Sequence, residues 1–235
     1  MGGAGLVGRL GHAALELLFP SRCMGCERGG TFLCDTCIEH LPRADSPRCW
    51  RCWSPQPTFE LCSQCYAAPP PFDGLRSAFV YRGVARSLVH GLKYRGMMSL
   101  APPMAALLAE VALDFDLDAD IIVPVPLSGL RHRTRGYNQA SELAKHLGRE
   151  LDVPVRPRAL ERPRHTPPQA RTANALERRR NVQGAFRSED PAVEGNRIRL
   201  VDDVTTTGAT LSACAEALQR AGADSIWCLT FARED

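Results

Sequence analysis

Two groups of residues in this chain could do chemistry. The first is Leu200-Val201-Asp202-Asp203-Val204-Thr205-Thr206-Thr207-Gly208-Ala209-Thr210-Leu211, which sets two adjacent carboxylates beside a turn of hydroxyls and glycine. Ile198, Leu200 and Val201 form a short apolar run that reads as a buried strand. From Leu211 the spacing becomes helical, with Ala215 and Leu218 on the same face. Unpaired N–H groups and the positive dipole end converge at such a helix mouth and suit a phosphate. Carboxylates at a strand end accept hydrogen bonds from ribose hydroxyls. Diol plus phosphate describes a ribose 5-phosphate.

The second group is eight cysteines in four CxxC pairs: Cys23/Cys26, Cys34/Cys37, Cys49/Cys52 and Cys62/Cys65. Each pair points two thiolates at one ion and two pairs complete a tetrahedral site, so two structural Zn2+ ions are expected. A disulfide framework would need an oxidising compartment, which nothing here indicates. Pairing in sequence order is preferred to an interleaved cross-brace, although the gap between Cys26 and Cys34 is tight. Charge is nearly balanced over residues 21–71, and a zinc held by four thiolates is itself negative. The module is therefore no electrostatic clamp for DNA. Trp50, Trp53 and Phe59 could stack on bases, but covering the zinc knuckles is the better use in a domain with so little other core.

These sites have to be carried by the rest of the 235 residues, enough for one medium domain and one small one. Residues 1–20 read as an amphipathic helix ended by Pro20. Arg9, His12 and Glu16 break its apolar run, which argues against a signal peptide and for a cytoplasmic protein without a membrane span. The zinc-ribbon module follows at 21–71 and closes on Pro69-Pro70-Pro71, a stiff linker. From 72 to 235 the order is α/β: a strand over 77–81, helices over 85–93 and 100–113, a strand over 121–126, and a helix to about Glu150. Val153–Leu160 and Val182–Arg187 are expected to pair as strands. Cys214 and Cys228 fall on the last helix and strand as core. Asp114 to Asp120 mimics a calcium loop but has Ala119 at the glycine position and Val125 at the final acid. The formal net charge is only +3, yet Arg156–Arg187 holds nine arginines against two glutamates. One segment is basic and the remainder is not.

The acid and threonine stretch resembles the PRPP-binding motif of type I phosphoribosyltransferases. That likeness implies Asp202 and Asp203 as the catalytic acids that hold the ribose hydroxyls. It puts Thr205, Thr206, Thr207, Gly208, Ala209 and Thr210 around the 5-phosphate, with Mg2+ accompanying the ligand. By position, Arg131, Arg133 and Arg135, with His132 among them, resemble the pyrophosphate loop. The polar connector from His165 to Asn181, with Arg171, Arg178, Arg179 and Arg180, matches the flexible loop that closes over PRPP. Only four residues follow Phe231, so a hood over a nucleobase is expected from residues 72–113.

The whole order, four CxxC pairs, then VPVPLS, RGYNQ, TPPQ, RRRN, GAF and VDDVTTTGAT, resembles the ComF family of competence-associated proteins. The likeness implies a type I phosphoribosyltransferase-like domain with a mainly parallel sheet behind a small double zinc-ribbon module. It further implies a cytoplasmic factor that handles incoming single-stranded DNA with the competence machinery and binds PRPP or a related ribose 5-phosphate. A catalytically active phosphoribosyltransferase of nucleobase or nucleotide metabolism is the alternative, so enzymatic turnover stays open. Fold alone does not choose between them.

Overall fold

The computed structural model describes residues 21–163 and 184–235. Its centre is a four-stranded sheet, β1 (Gly74–Val80), β2 (Ile121–Pro124), β3 (Arg197–Thr205) and β4 (Ser225–Arg233), in the order β1-β4-β3-β2. Every pair in it is parallel. Parallel strands are joined by crossovers that cover both faces, so their sequences are apolar nearly throughout.

Alternation along β3 assigns the faces. Val201 joins Ile122 and Leu229 in one apolar cluster. It is covered by α3 (Gly83–Tyr94), α4 (Ala101–Asp114) and α6 (Gln139–Glu150) through residues such as Leu88, Leu108 and Leu143. Ile198 and Leu200 point the other way, to Val123, Cys228 and α7 (Ala209–Arg220), which buries Leu211, Cys214 and Leu218.

Three expectations need correction. The arginine stretch after β2 is not an open loop: residues Gly129–Arg135 wind into a short helix, α5. Its leucine and arginines are good helix formers, and Gly136, at φ +77°, marks its end. Val153–Leu160 is not a strand of the sheet. It makes a single parallel bridge, Val155 to Ile122, with Ile122 donating to Pro154 O at 2.9 Å and Arg156 to Ile122 O at 2.8 Å. Pro154 and Pro157 have no N–H with which to continue a ladder. Its expected partner is met later, at Glu161, which exchanges both backbone hydrogen bonds with Arg187 at 2.8 and 3.0 Å. Residues 182 and 183 lie outside the described residues.

The cysteine-rich module, with short helices α1 (Asp35–Glu39) and α2 (Ser63–Ala67), packs directly on the sheet. Cys23, Cys34, Cys37 and Leu41 belong to the same apolar cluster as Leu88 and Leu92 of α3. Residues 42–44 run antiparallel along β1: Val80 donates to Pro42 O at 2.7 Å, and Ala44 donates to Ala78 O at 3.0 Å. Trp53, 2% exposed, lies at this seam rather than over a zinc knuckle. It stands edge-on to Phe115 at 5.2 Å, its Nε1 donates to Ala44 O, and the Arg76 guanidinium sits 4.4 Å from the ring. Trp50 and Phe59 remain partly exposed, at 37% and 50%. Arg48 closes the seam by donating through two nitrogens to Asp235, at 2.9 and 2.7 Å.

Candidate functional site

At the carboxyl ends of β2 and β3 the crossovers diverge, the position at which open parallel sheets receive ligands. A cavity of about 650 Å3 lies there. Asp202, Asp203 and Thr210 line it, with Arg135 from the end of α5. The β3 ladder extends beyond β2 and reaches Thr205, so both acids are strand residues. Asp202 Oδ1 accepts the N–H of Asp203 at 2.8 Å.

The turn after β3 divides the expected phosphate residues. Thr205 is buried at the strand end, and Thr206, Thr207 and Gly208 face a smaller cavity of about 230 Å3 shared with Ser212, Arg233, Cys52 and Cys65. Gly208 is the N-cap of α7 at φ +74°, a left-handed conformation that a side chain would strain. No side chain caps that helix from Gly208, while the Ala209 N–H reaches Thr207 Oγ1 at 3.4 Å. An uncapped first turn leaves N–H groups for an anion.

Five residues of the large cavity have no role in the site that the sequence alone assigns: Lys93, Tyr94, Tyr137, Gln139 and Arg162. Lys93 Nζ is 2.7 Å from Asp203 Oδ2, their side chains 18% and 3% exposed. Gln139 Nε2 donates to Asp203 Oδ1 at 3.5 Å, and Gln139 Oε1 accepts from Arg135 Nη1 at 2.9 Å. The Arg135 guanidinium also lies 4.9 Å from the Tyr94 ring. Asp202 keeps some contact with water through the cavity. Desolvation by the surrounding protein nonetheless pushes its carboxyl well above the usual range, and the Asp203 charge adds to this. Burial alone would lower Lys93, but the Asp203 charge and hydrogen bond outweigh it and the net shift is upward.

Of the other expected residues, Arg133 is exposed and Arg131 lies on α5. Arg171, Arg178, Arg179 and Arg180 fall outside the described residues.

The cysteines form two sets, Cys23/Cys26/Cys34/Cys37 and Cys49/Cys52/Cys62/Cys65, each with its sulfurs within 4.8 Å of one another. Sequence order thus gives the pairing. A tetrahedron with Zn–S of about 2.3 Å has sulfurs about 3.8 Å apart. Here Cys23 and Cys34 are at 3.7 Å, Cys26 and Cys34 at 3.6 Å, and Cys52 and Cys62 at 3.7 Å. Burial by itself would raise the Cys23 thiol, but the amides of Cys26, Cys34 and Gly25 bring it down to about 6. Cys62 comes down to about 7 chiefly through the Cys65 amide, again against burial. Four soft donors at this spacing fit two structural zincs.

Residues 100–235 match the phosphoribosyl transferase domain, and residues 14–66 match the double zinc ribbon domain. Sheet, cavity and paired cysteine clusters together define a phosphoribosyltransferase-type α/β fold built behind a double zinc ribbon. Among relatives, the DNA utilization protein YhgH of Escherichia coli K12 is 34% identical over 91% of this chain and 98% of its own length. Competence protein F of Haemophilus influenzae is 31% identical over 88% and 95%. Competence protein ComFC of Bacillus subtilis is 27% identical over 81% and 79%. The chain belongs to the ComF family. None of its described helices is long and apolar enough to cross a membrane.

Proposed function

We propose that the large cavity binds PRPP or a related ribose 5-phosphate with Mg2+, and that the protein serves the handling of single-stranded DNA in the cytoplasm; its relatives' names support the part of this that concerns DNA utilization and competence. The observation that carries the ligand reading is the pair Asp202 and Asp203 at the cavity, the second of them five residues before a left-handed glycine that opens α7 without a side-chain cap. On this reading, residues 72–235 form the ligand-binding domain. Asp202 and Asp203 accept from the ribose hydroxyls, and the turn from Thr205 to Thr210, of which Thr210 lines the large cavity, is the 5-phosphate loop. Arg131, Arg133 and Arg135 meet the pyrophosphate, and Arg171, Arg178, Arg179 and Arg180 belong to the covering loop. The Mg2+ would neutralise pyrophosphate charge. Transfer of the ribosyl group would need no protein nucleophile, so positioned charge would be the chain's whole contribution.

The test is a pair of titrations. By calorimetry with Mg2+, the protein is expected to bind PRPP. In a salt series, it is expected to bind a single-stranded oligonucleotide with a slope near −0.7 per phosphate neutralised. Changing Arg178, Arg179 and Arg180 to Ala should flatten that slope by roughly two units while leaving PRPP affinity within a few fold. No PRPP heat refutes the ligand reading. No oligonucleotide binding at low salt refutes direct DNA contact, and a triple variant that loses PRPP alone would make the segment a lid and favour the enzyme.

A further inference from the structure

Residues 67–99 lie between the two family matches and belong to neither, yet they bring Lys93, Tyr94 and Gly96 to the cavity wall. Two acids adjacent in one strand repel each other, and an anionic ligand repels both. Left alone, such a pair shares protons, and neither member is a dependable acceptor. The geometry here breaks that symmetry. Lys93 pairs with Asp203, at 2.7 Å, whereas Asp202 takes the Asp203 N–H. The second oxygen of Asp203 faces Gln139, which Arg135 holds in turn. The end of α3 that carries Lys93 is pinned by the Tyr137 hydroxyl, which donates to Leu92 O. Lys93 is thus held from both sides, and it holds Asp203.

We propose that Lys93 is a positioning residue of the ribose phosphate site: its ammonium fixes the orientation of the Asp203 carboxyl group and offsets one negative charge where the anionic ligand must enter. The inference rests on the PRPP reading given above. It divides labour within the pair, with Asp203 held in place by Lys93 and Asp202, which has no cation of its own in the pair, left to meet the ligand. It also makes ligand affinity depend on a segment outside both matched modules. Asp202, Tyr94, Arg135, Tyr137 and Arg162 are the other charged or titratable groups lining the cavity around this ion pair.

The experiment compares the full chain with Lys93→Met, Lys93→Gln and Lys93→Arg. Without ligand, carbon-13 NMR follows the carboxyls of labelled aspartates through pH. A carboxyl of the pair should titrate at least one pH unit higher in the Met and Gln variants, and the wild-type profile should return in Lys93→Arg. With ligand, calorimetry using PRPP and Mg2+ should show at least a tenfold loss for Met and Gln and recovery to within a few fold for Arg. A bridge that merely tied α3 to β3 would change the melting temperature, and the carboxyl titration with it, but would leave PRPP affinity where it was. Carboxyl titrations that superimpose across all four proteins would overturn the inference, as would Met and Gln variants that bind PRPP like the wild type. A wild type that binds no PRPP overturns the ligand reading instead, and the ligand-free titration still decides whether Lys93 acts on the acid pair.

Discussion

Changing Asp202 to Asn should move ligand affinity and stability in opposite directions. In the ligand-free protein this carboxyl is shifted upward by desolvation and by the Asp203 charge. A group raised in the folded state contributes fully to stability below its unfolded value of about 3.9, and that contribution is lost as pH rises through the raised folded value. At pH 8 Asp202 therefore works against the fold, and a neutral amide removes that penalty. Asn also keeps an oxygen for the Asp203 N–H that Asp202 Oδ1 now accepts at 2.8 Å. Because that oxygen is already engaged, one oxygen remains for a ribose hydroxyl, so one charge-assisted hydrogen bond is at stake. Such a bond is worth about 1.5–3 kcal/mol, or roughly a 10- to 150-fold loss in PRPP affinity. Urea unfolding at pH 5 and pH 8 and calorimetry with Mg2+ read the two effects. The wild-type midpoint should fall between those pH values more than that of the variant, and the variant should be the more stable at pH 8. A variant less stable than wild type at pH 8, or one binding PRPP within threefold of it, would refute the reasoning.

Metal analysis should find two zinc ions per chain. Because Cys23, Cys34 and Cys37 share an apolar cluster with Leu88 and Leu92, stripping the metal should reduce hydrogen-exchange protection in α3 as well as in the ribbon, while α7 keeps its own. One zinc, or an α3 indifferent to chelation, would contradict that packing. Trp53→Ala should cost about 3–5 kcal/mol in urea unfolding, the usual range for deleting a buried large aromatic, and leaves the Arg76 guanidinium without the ring 4.4 Å away. A cost below about 2 kcal/mol would mean the seam repacks freely.

What the sequence made legible was local. The strand, glycine turn and helix around Asp202 are written in one stretch of chain, where the apolar period changes and the turn chemistry is visible. The CxxC pairs likewise announce their geometry, because each knuckle is complete within four residues. Lys93 carried no such sign: it is one basic residue on an ordinary amphipathic helix, and its partner is 110 residues away. Gln139 shows in the sequence only as the end of the motif RGYNQ, for a similar reason. The strand expected over Val153–Leu160 failed on its prolines, which leave a β-rich composition without the donors a ladder needs. Covering the zinc is the natural use of Trp53 in a module that stands alone, whereas the contacts that bury it come from β1 and the end of α4.

Prolines give the sheet a property that its strand order does not. A parallel sheet of four strands has two open margins, each a row of amide groups able to recruit another chain into fibres or swapped dimers. Beside β1 runs the segment from Pro42 to Ala44; beside β2 runs the one from Pro154 to Arg156. Each supplies the sheet with a partner yet contains a residue with no N–H to offer a further strand. The cysteine-rich module is thereby the hem of the sheet on one side. Excised from it, residues 72–235 would lose the part of their core that Leu41 and Trp53 complete, would expose the Ala78 carbonyl and the Val80 amide, and would be expected to associate with themselves. Pro154 and Pro157 would still guard the other margin.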